Sequence, residues 1–203
     1  GKTTMLKLIL GFYRPVEGSL LLNNLSLAKF SDSRWRAHCG VVMQEGYIFS
    51  DTISRNIGIS DEEPDMERVR QAIKTANIEA FIESLPLGYN TRSGADGHGL
   101  STGQKQRLLI ARAVYKDAPY LIFDEATNAL DANNEKVIME NLDRFFRGKT
   151  VIIVAHRLST VKNADNIVVL HQGKIVEEGT HAELARKKGY YYELVRNQLE
   201  LGS

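Results

Sequence analysis

The sequence predicts an α/β fold in which a sheet of buried strands carries an inserted lobe of helices. Two observations predict it. Short continuous apolar runs, Gly40 to Met43, Tyr120 to Phe123 and Thr150 to Ala155, have the form of strands buried on both faces, and helical periodicities alternate with them. Between the first two runs, from about Asp51 to Asp117, the pattern is helical.

Gly1-Lys2-Thr3-Thr4 runs directly into Met5, Leu6, Leu8, Ile9 and Leu10, which predicts a loop feeding a buried helix that Gly11 and Pro15 stop. Ser19 to Leu22 predicts a short strand, and Gly40 to Met43 a second that ends on the polar Gln44. In the lobe, Ile53 to Ile57 precedes a helix after Pro64 with Met66, Val69, Ile73 and Ala76 on one face, then Ala80 to Leu85. A glycine-rich connection from Gly88 to Gly99 leads to Ser101, a good N-cap for a long helix that ends before Pro119. After the strand Tyr120 to Phe123, Ile138, Leu142, Phe145 and Phe146 mark one face of a helix ended near Gly148. Ile167 to His171, Gln172-Gly173 and Lys174 to Val176 read as a β-hairpin, and Thr180-His181-Ala182-Glu183 as a capping box opening a terminal helix. The expected division is therefore a core at 1–45 and 118–203, interrupted by a helical subdomain at 46–117.

With 203 residues and 43% hydrophobic content, the chain can bury one sizeable core. Its 26 Lys and Arg balance 25 Asp and Glu, and no block of like charge invites nucleic acid or a membrane surface, so no nucleic-acid partner is expected. Cys39 is the only cysteine, which excludes an internal disulfide and a Cys-based zinc cluster and fits a reducing compartment. The apolar runs fall far short of the roughly 20 residues that span a bilayer. Trp35 and Cys39 suit packing, His98 sits in the glycine-rich loop, and Tyr190, Tyr191 and Tyr192 suit anchoring of the terminal helix.

Three segments carry chemistry. Gly1, Lys2 and Thr3 match the last three positions of G-x-x-x-x-G-K-[ST], a loop whose backbone N–H groups and helix N-terminus surround phosphates. In that pattern the lysine neutralises the β and γ oxygens and the hydroxyl binds Mg²⁺. Tyr120-Leu121-Ile122-Phe123-Asp124-Glu125 delivers two carboxylates to the end of a buried strand, the edge where α/β sheets place ligands. One carboxylate there can hold Mg²⁺ and its neighbour can take a proton from attacking water, so Asp124 is expected at the metal and Glu125 as general base. The third segment is Leu100-Ser101-Thr102-Gly103-Gln104-Lys105-Gln106-Arg107: a serine hydroxyl, a small residue and a helix N-terminus all suit an anion.

This third segment resembles the LSGGQ signature of the ABC ATPases, with Thr102 in the place of the first glycine. The resemblance implies a P-loop NTPase with a RecA-like core sheet and an inserted helical subdomain, binding ATP and Mg²⁺. It also implies that two domains meet head to tail, the signature of each (Ser101, Gly103, Gln104) closing over the γ-phosphate held by the other's Gly1, Lys2, Thr3 and Thr4. Gln44 resembles the Q-loop residue, which reaches Mg²⁺ and the attacking water. Asn128-Ala129-Leu130-Asp131 resembles the D-loop that crosses the dimer interface, and His156 in Ala155-His156-Arg157 resembles the switch histidine that bonds the γ-phosphate and orients the water. Within the family, Glu45 to Asn56-Ile57 is similar to exporters, whose coupling helix docks on this stretch, and so are Ala155 to Val161 and Gly173 to His181. Gly94-Ala95-Asp96 stands where exporters usually carry Val-Gly-Glu in an X-loop. Tyr191 to Gly202 is similar to peptide and bacteriocin exporters that carry their own peptidase. The implied setting is the cytoplasmic face of a membrane, beside a transmembrane exporter domain. A non-transport ABC ATPase or the ATPase subunit of an importer are the alternatives; neither an inserted domain nor a heptad run lies between Gln44 and Ser101. Because the chain opens inside its phosphate-binding loop, by itself it is expected to bind ATP weakly.

Overall fold

The apolar runs between turn residues form the strands. In the computed structural model, which describes residues 1–94, 99–155 and 157–201, the elements follow in the order α1 (Lys2–Ile9), β1 (Leu21–Leu22), β2 (Leu25–Ser26), α2 (Asp32–Ala37), β3 (Cys39–Val42), β4 (Asp51–Thr52), α3 (Ile53–Ile57), α4 (Met66–Thr75), α5 (Glu79–Glu83) and β5 (Arg92–Ser93). Then come α6 (Thr102–Lys116), β6 (Tyr120–Asp124), α7 (Ala132–Phe145), β7 (Thr150–Val154), α8 (Leu158–Val161), β8 (Ile167–His171), β9 (Lys174–Gly179), α9 (His181–Lys187) and α10 (Tyr190–Leu201). Two compact units result: residues 1–18 with 153–203, and residues 19–152.

In the larger unit, β3 and β6 pair in parallel, Cys39 opposite Tyr120 through Val42 opposite Phe123. The sheet order is β3-β6-β7, so β6 is central, and Leu121, Ile122, Phe123 and Asp124 are all buried. β7 is less buried than its apolar sequence suggests, with only Val154 fully covered. The predicted strand from Ser19 is shorter than expected: only Leu21–Leu22 pairs, in a small hairpin with β2, and Leu21 faces solvent.

The helical lobe is organised by α6, which buries Leu108, Leu109, Ile110, Ala111, Ala113, Val114 and Tyr115 and packs against α3, α4 and β3. α4 contributes Val69, Ala72 and Ile73 from one face, the spacing its sequence implies. A two-residue ladder of β4 and β5, not anticipated from the sequence, ties the lobe's ends together. Behind it, Asn56 is 1% exposed and its amide donates to the Phe49, Asp51 and Thr52 carbonyls while accepting from the Phe49 N–H. Arg112 of α6 donates in turn to the Asn56 carbonyl (2.7 Å), the Tyr47 carbonyl (2.9 Å) and Asn56 Oδ1 (3.1 Å), and lies over the Phe49 ring. Burial lowers its guanidinium to about 10, so it stays charged at neutral pH. Arg112→Met is expected to lower stability by about 2–4 kcal/mol, since charged hydrogen bonds are lost and buried acceptors are left bare; chemical denaturation with an unchanged midpoint would refute this.

Cys39 is 1% exposed, its thiol aimed at the Trp35 carbonyl, and burial pushes it up to about 11. Trp35 stacks obliquely on Tyr120, with ring centroids 5.0 Å apart.

In the smaller unit, β8 and β9 form the expected hairpin around Gln172 (φ 48°) and Gly173 (φ 77°), two successive left-handed residues suited to a tight hairpin turn. β9 runs three residues beyond the predicted Val176. Ile167, Val169, Leu184 and Tyr191 form a cluster with Val161 and Val195 packed on it. The single terminal helix expected from the sequence is two, broken where Lys188 turns left-handed before Gly189. A Cβ at Gly189 would lie 1.9 Å from Glu177 Oε1, and that carboxylate accepts the Tyr191 N–H at 2.7 Å. Tyr191 is the anchor among the three tyrosines, bonded to His181 Nδ1 at 2.7 Å.

Candidate functional site

Parallel pairing brings three of the predicted residues to one sheet edge. β3 ends at Val42 opposite Phe123, so Gln44 leaves the sheet at the level where Asp124 and Glu125 leave it. Gln44 is exposed and lies two residues beyond the strand rather than at its end. Gly46, just past it, allows a close approach to α6: a Cβ there would come within 2.2 Å of Leu109 Cδ1.

Asp124 is fully buried, and neither carboxylate oxygen has a hydrogen-bond partner among the described residues. A bare buried carboxylate is an unfavourable group that a bound cation would satisfy. A single hard oxygen donor set of this kind suits a divalent ion that keeps its own waters and takes further ligands from phosphate.

Glu125 follows in the left-handed region, φ 52°, unusual for a residue with a side chain, and this turns its carboxylate out of the strand direction. Its Oε2 accepts from Asn128 Nδ2 at 2.6 Å. Its carbonyl accepts twice, from the Asn128 N–H at 3.2 Å and from Gln106 Nε2 of α6 at 3.0 Å. Gln106 Oε1 in turn accepts the Ala129 N–H at 3.0 Å.

The signature segment forms as its sequence predicts. Ser101 is the N-cap of α6 in a complete capping box: its Oγ accepts from the Gln104 N–H, and Gln104 Oε1 accepts from the Ser101 N–H. The cap occupies one of the two lone pairs on Ser101 Oγ and does not use its O–H. Gln104 Oε1 is thus committed to the helix start, and its NH₂ takes no part in the cap. Gly103 rests on the turn after β6, where a Cβ would fall 3.2 Å from the Ala129 carbonyl.

Asp131 caps α7 by accepting the Asn134 N–H at 3.0 Å and Asn134 Nδ2 at 2.6 Å, which hold its carboxyl below the ordinary range. Asn134 Oδ1 accepts from Asn77 at 2.9 Å, and Arg107 of α6 donates to the Asn77 carbonyl at 2.7 Å. A ring of polar contacts therefore joins signature helix, lobe and the cap of α7. Burial lowers the Arg107 guanidinium, and the Asp131 charge opposes that shift.

Gly1, Lys2, Thr3 and Thr4 belong to the smaller unit. Gly1 is the N-cap of α1, with no side-chain cap and no acidic residue in the first turn, so the amide N–H groups of the first turn form an electropositive end. His156 lies outside the described residues, as do Ala95 and Asp96 of the X-loop segment and His98. Sequence reasoning missed the roles of Gln106, Arg107, Asn77 and Arg112. Gly103, Gln106 and Ile110 share one helix face by their i, i+3, i+7 spacing, and that periodicity was the available signal for Gln106.

Among the described residues no helix is long and apolar enough to cross a membrane. The model of the family described as "ABC transporter" matches residues 1–128. The chain is 44% identical over 98% of its length to an ATP-dependent lipid A-core flippase of Chromohalobacter salexigens, and 48% identical over the same share to the ABC multidrug transporter atrD of Emericella nidulans. It spans 34% and 15% of those proteins' lengths. Against the solved structure of a bacterial Atm1-family ABC exporter with ATP bound, it superposes with a TM-score of 0.94 at 40% identity, over 98% of this chain and 35% of that one.

Proposed function

The chain belongs to the ABC transporter family, as an ATP-binding domain of the exporter type with the P-loop NTPase fold and ATPase activity, and from that premise we propose how its residues divide the work. The carrying observation is the pair Asp124 and Glu125, one carboxylate buried and bare, the next swung out by a left-handed residue, on a turn tied to the signature helix.

Lys2 and the first-turn N–H groups of α1, with Gly1 and Thr4, hold the triphosphate of ATP. Thr3, Gln44 and Asp124 would hold Mg²⁺, which would supply charge neutralisation for the phosphates. Glu125 accepts the proton of the attacking water, oriented together with Gln44 and His156. Ser101, Gly103 and Gln104 of one copy, presented at the N-terminus of α6, close over the γ-phosphate held by the partner copy, and Asp131 lies at the same head-to-tail interface. Residues 46–117 act as the helical subdomain and 1–45 with 118–203 as the ATPase core. Closure and release drive a transmembrane domain on the same polypeptide, from the cytoplasmic face.

The cargo reading supported by Tyr191 to Gly202 is a peptide or bacteriocin. A second reading, a lipid or drug-like amphiphile, is favoured by the flippase and multidrug names of the relatives. Inside-out vesicles bearing the whole transporter are expected to accumulate labelled cargo only with Mg-ATP. Uptake of a lipid but no peptide selects the second reading, and uptake that proceeds equally without ATP defeats both.

A further inference from the structure

We propose that Gln106 is a positioning residue for hydrolysis: its one amide clamps both ends of the turn 125–129 onto the signature helix, and thereby sets where the Glu125 carboxylate points. The inference rests on the reading of Glu125 as general base.

Gln106 Nε2 donates to the Glu125 carbonyl at 3.0 Å, and its Oε1 accepts the Ala129 N–H at 3.0 Å. Donor and acceptor are used in a single orientation; the flipped amide would set NH₂ against N–H and oxygen against oxygen. Glu125 holds φ at 52°, a conformation a side-chain-bearing residue keeps only when its surroundings impose it. Two bonds on its own carbonyl, from Gln106 and from the Asn128 N–H at 3.2 Å, help to hold it. The carboxylate end is held by Asn128 Nδ2, a residue of the same turn. Moving the turn therefore moves the carboxylate.

A second, independent contact lies one helical turn earlier. Gly103 packs bare backbone on the Ala129 carbonyl, so α6 touches the turn at two successive levels of one face. The clamp and the signature residues Ser101 to Gln104 ride on the same rigid helix. A general base loses much of its effect when displaced by a fraction of an ångström, because proton transfer requires hydrogen-bond reach.

The test uses the whole transporter, assayed for Mg-ATP hydrolysis, with Q106M and Q106E beside E125Q. Methionine keeps the length and packing but neither bond, so Q106M is expected to lower kcat about tenfold while KM for Mg-ATP stays within about twofold. Glutamate keeps the acceptor for the Ala129 N–H but sets an oxygen against the Glu125 carbonyl until it gains a proton. The kcat of Q106E relative to wild type is therefore expected to climb as pH falls from 7.5 toward about 5.5, whereas the Q106M ratio stays flat. Rates are normalised to the folded fraction from denaturant titration, so a merely structural role leaves kcat per folded molecule unchanged. Normal kcat in Q106M, or a Q106E ratio flat with pH, beside an inactive E125Q, overturns the clamp alone. An active E125Q overturns the base assignment and the clamp with it.

Discussion

Glu125→Gln is expected to cut steady-state ATP hydrolysis by at least about 100-fold, the range that loss of a general base produces. The structure makes this substitution a clean one. Glutamine has the same length and can still accept from Asn128 Nδ2 through its amide oxygen, so the 2.6 Å contact survives. The carbonyl bonds from Gln106 and Asn128 are made by the backbone and do not depend on the side chain. What is removed is the carboxylate's charge and with it the capacity to take a proton. Nucleotide affinity is therefore expected to hold while hydrolysis fails, and ATP-bound pairs should accumulate. Phosphate release in the whole transporter, set beside binding of a fluorescent ATP analogue, checks both halves. Hydrolysis near the wild-type rate would remove Glu125 from the role of base.

Asp124→Asn is expected to act in two opposite directions. Hydrolysis should fall about 100-fold or more, because the residue proposed to hold Mg²⁺ loses the charge that a hard cation requires and the phosphates lose electrostatic neutralisation. Stability without nucleotide should rise, by about 1–3 kcal/mol, because the substitution removes a charge from a fully buried position with no partner on either oxygen. The gain is limited because the amide that replaces the carboxylate still lacks a partner. Denaturant titration of nucleotide-free protein reads the second effect and Mg²⁺-dependent hydrolysis the first. A nucleotide-free D124N less stable than wild type would mean that Asp124 serves the core rather than a ligand.

The strands and capped helices were legible because each is written locally. The four-residue run before Asp124, the Ser101 N-cap, the Thr180–Glu183 capping box and the Gln172-Gly173 turn need nothing beyond neighbours in sequence. The β4–β5 ladder was not, since two residues from each of two distant segments carry no periodicity and their pairing is a tertiary fact. The break at Lys188 was hidden for a similar reason: the helical pattern continues through it, and the Glu177 carboxylate that receives the Tyr191 N–H comes from the preceding hairpin. At the site, the motifs named Asp124, Glu125, Ser101 and Asp131, but motifs name residues and not the contacts between them. Gln106, 19 residues before the carbonyl it holds, becomes informative only once α6 lies beside the end of β6.

The lone Cys39 has a practical consequence. A thiol raised from 9.0 to about 11 offers about a hundredth of the ordinary thiolate at mildly alkaline pH, and at 1% exposure a maleimide has no route to it. Within these 203 residues the native thiol is thus already silent toward thiol-directed probes. A cysteine introduced at Val137 on the solvent side of α7, or at Leu87 in the lobe, would carry a spin label or fluorophore without prior removal of the native one. Within these residues, one substitution per reporter therefore suffices to place a label on the lobe or on α7.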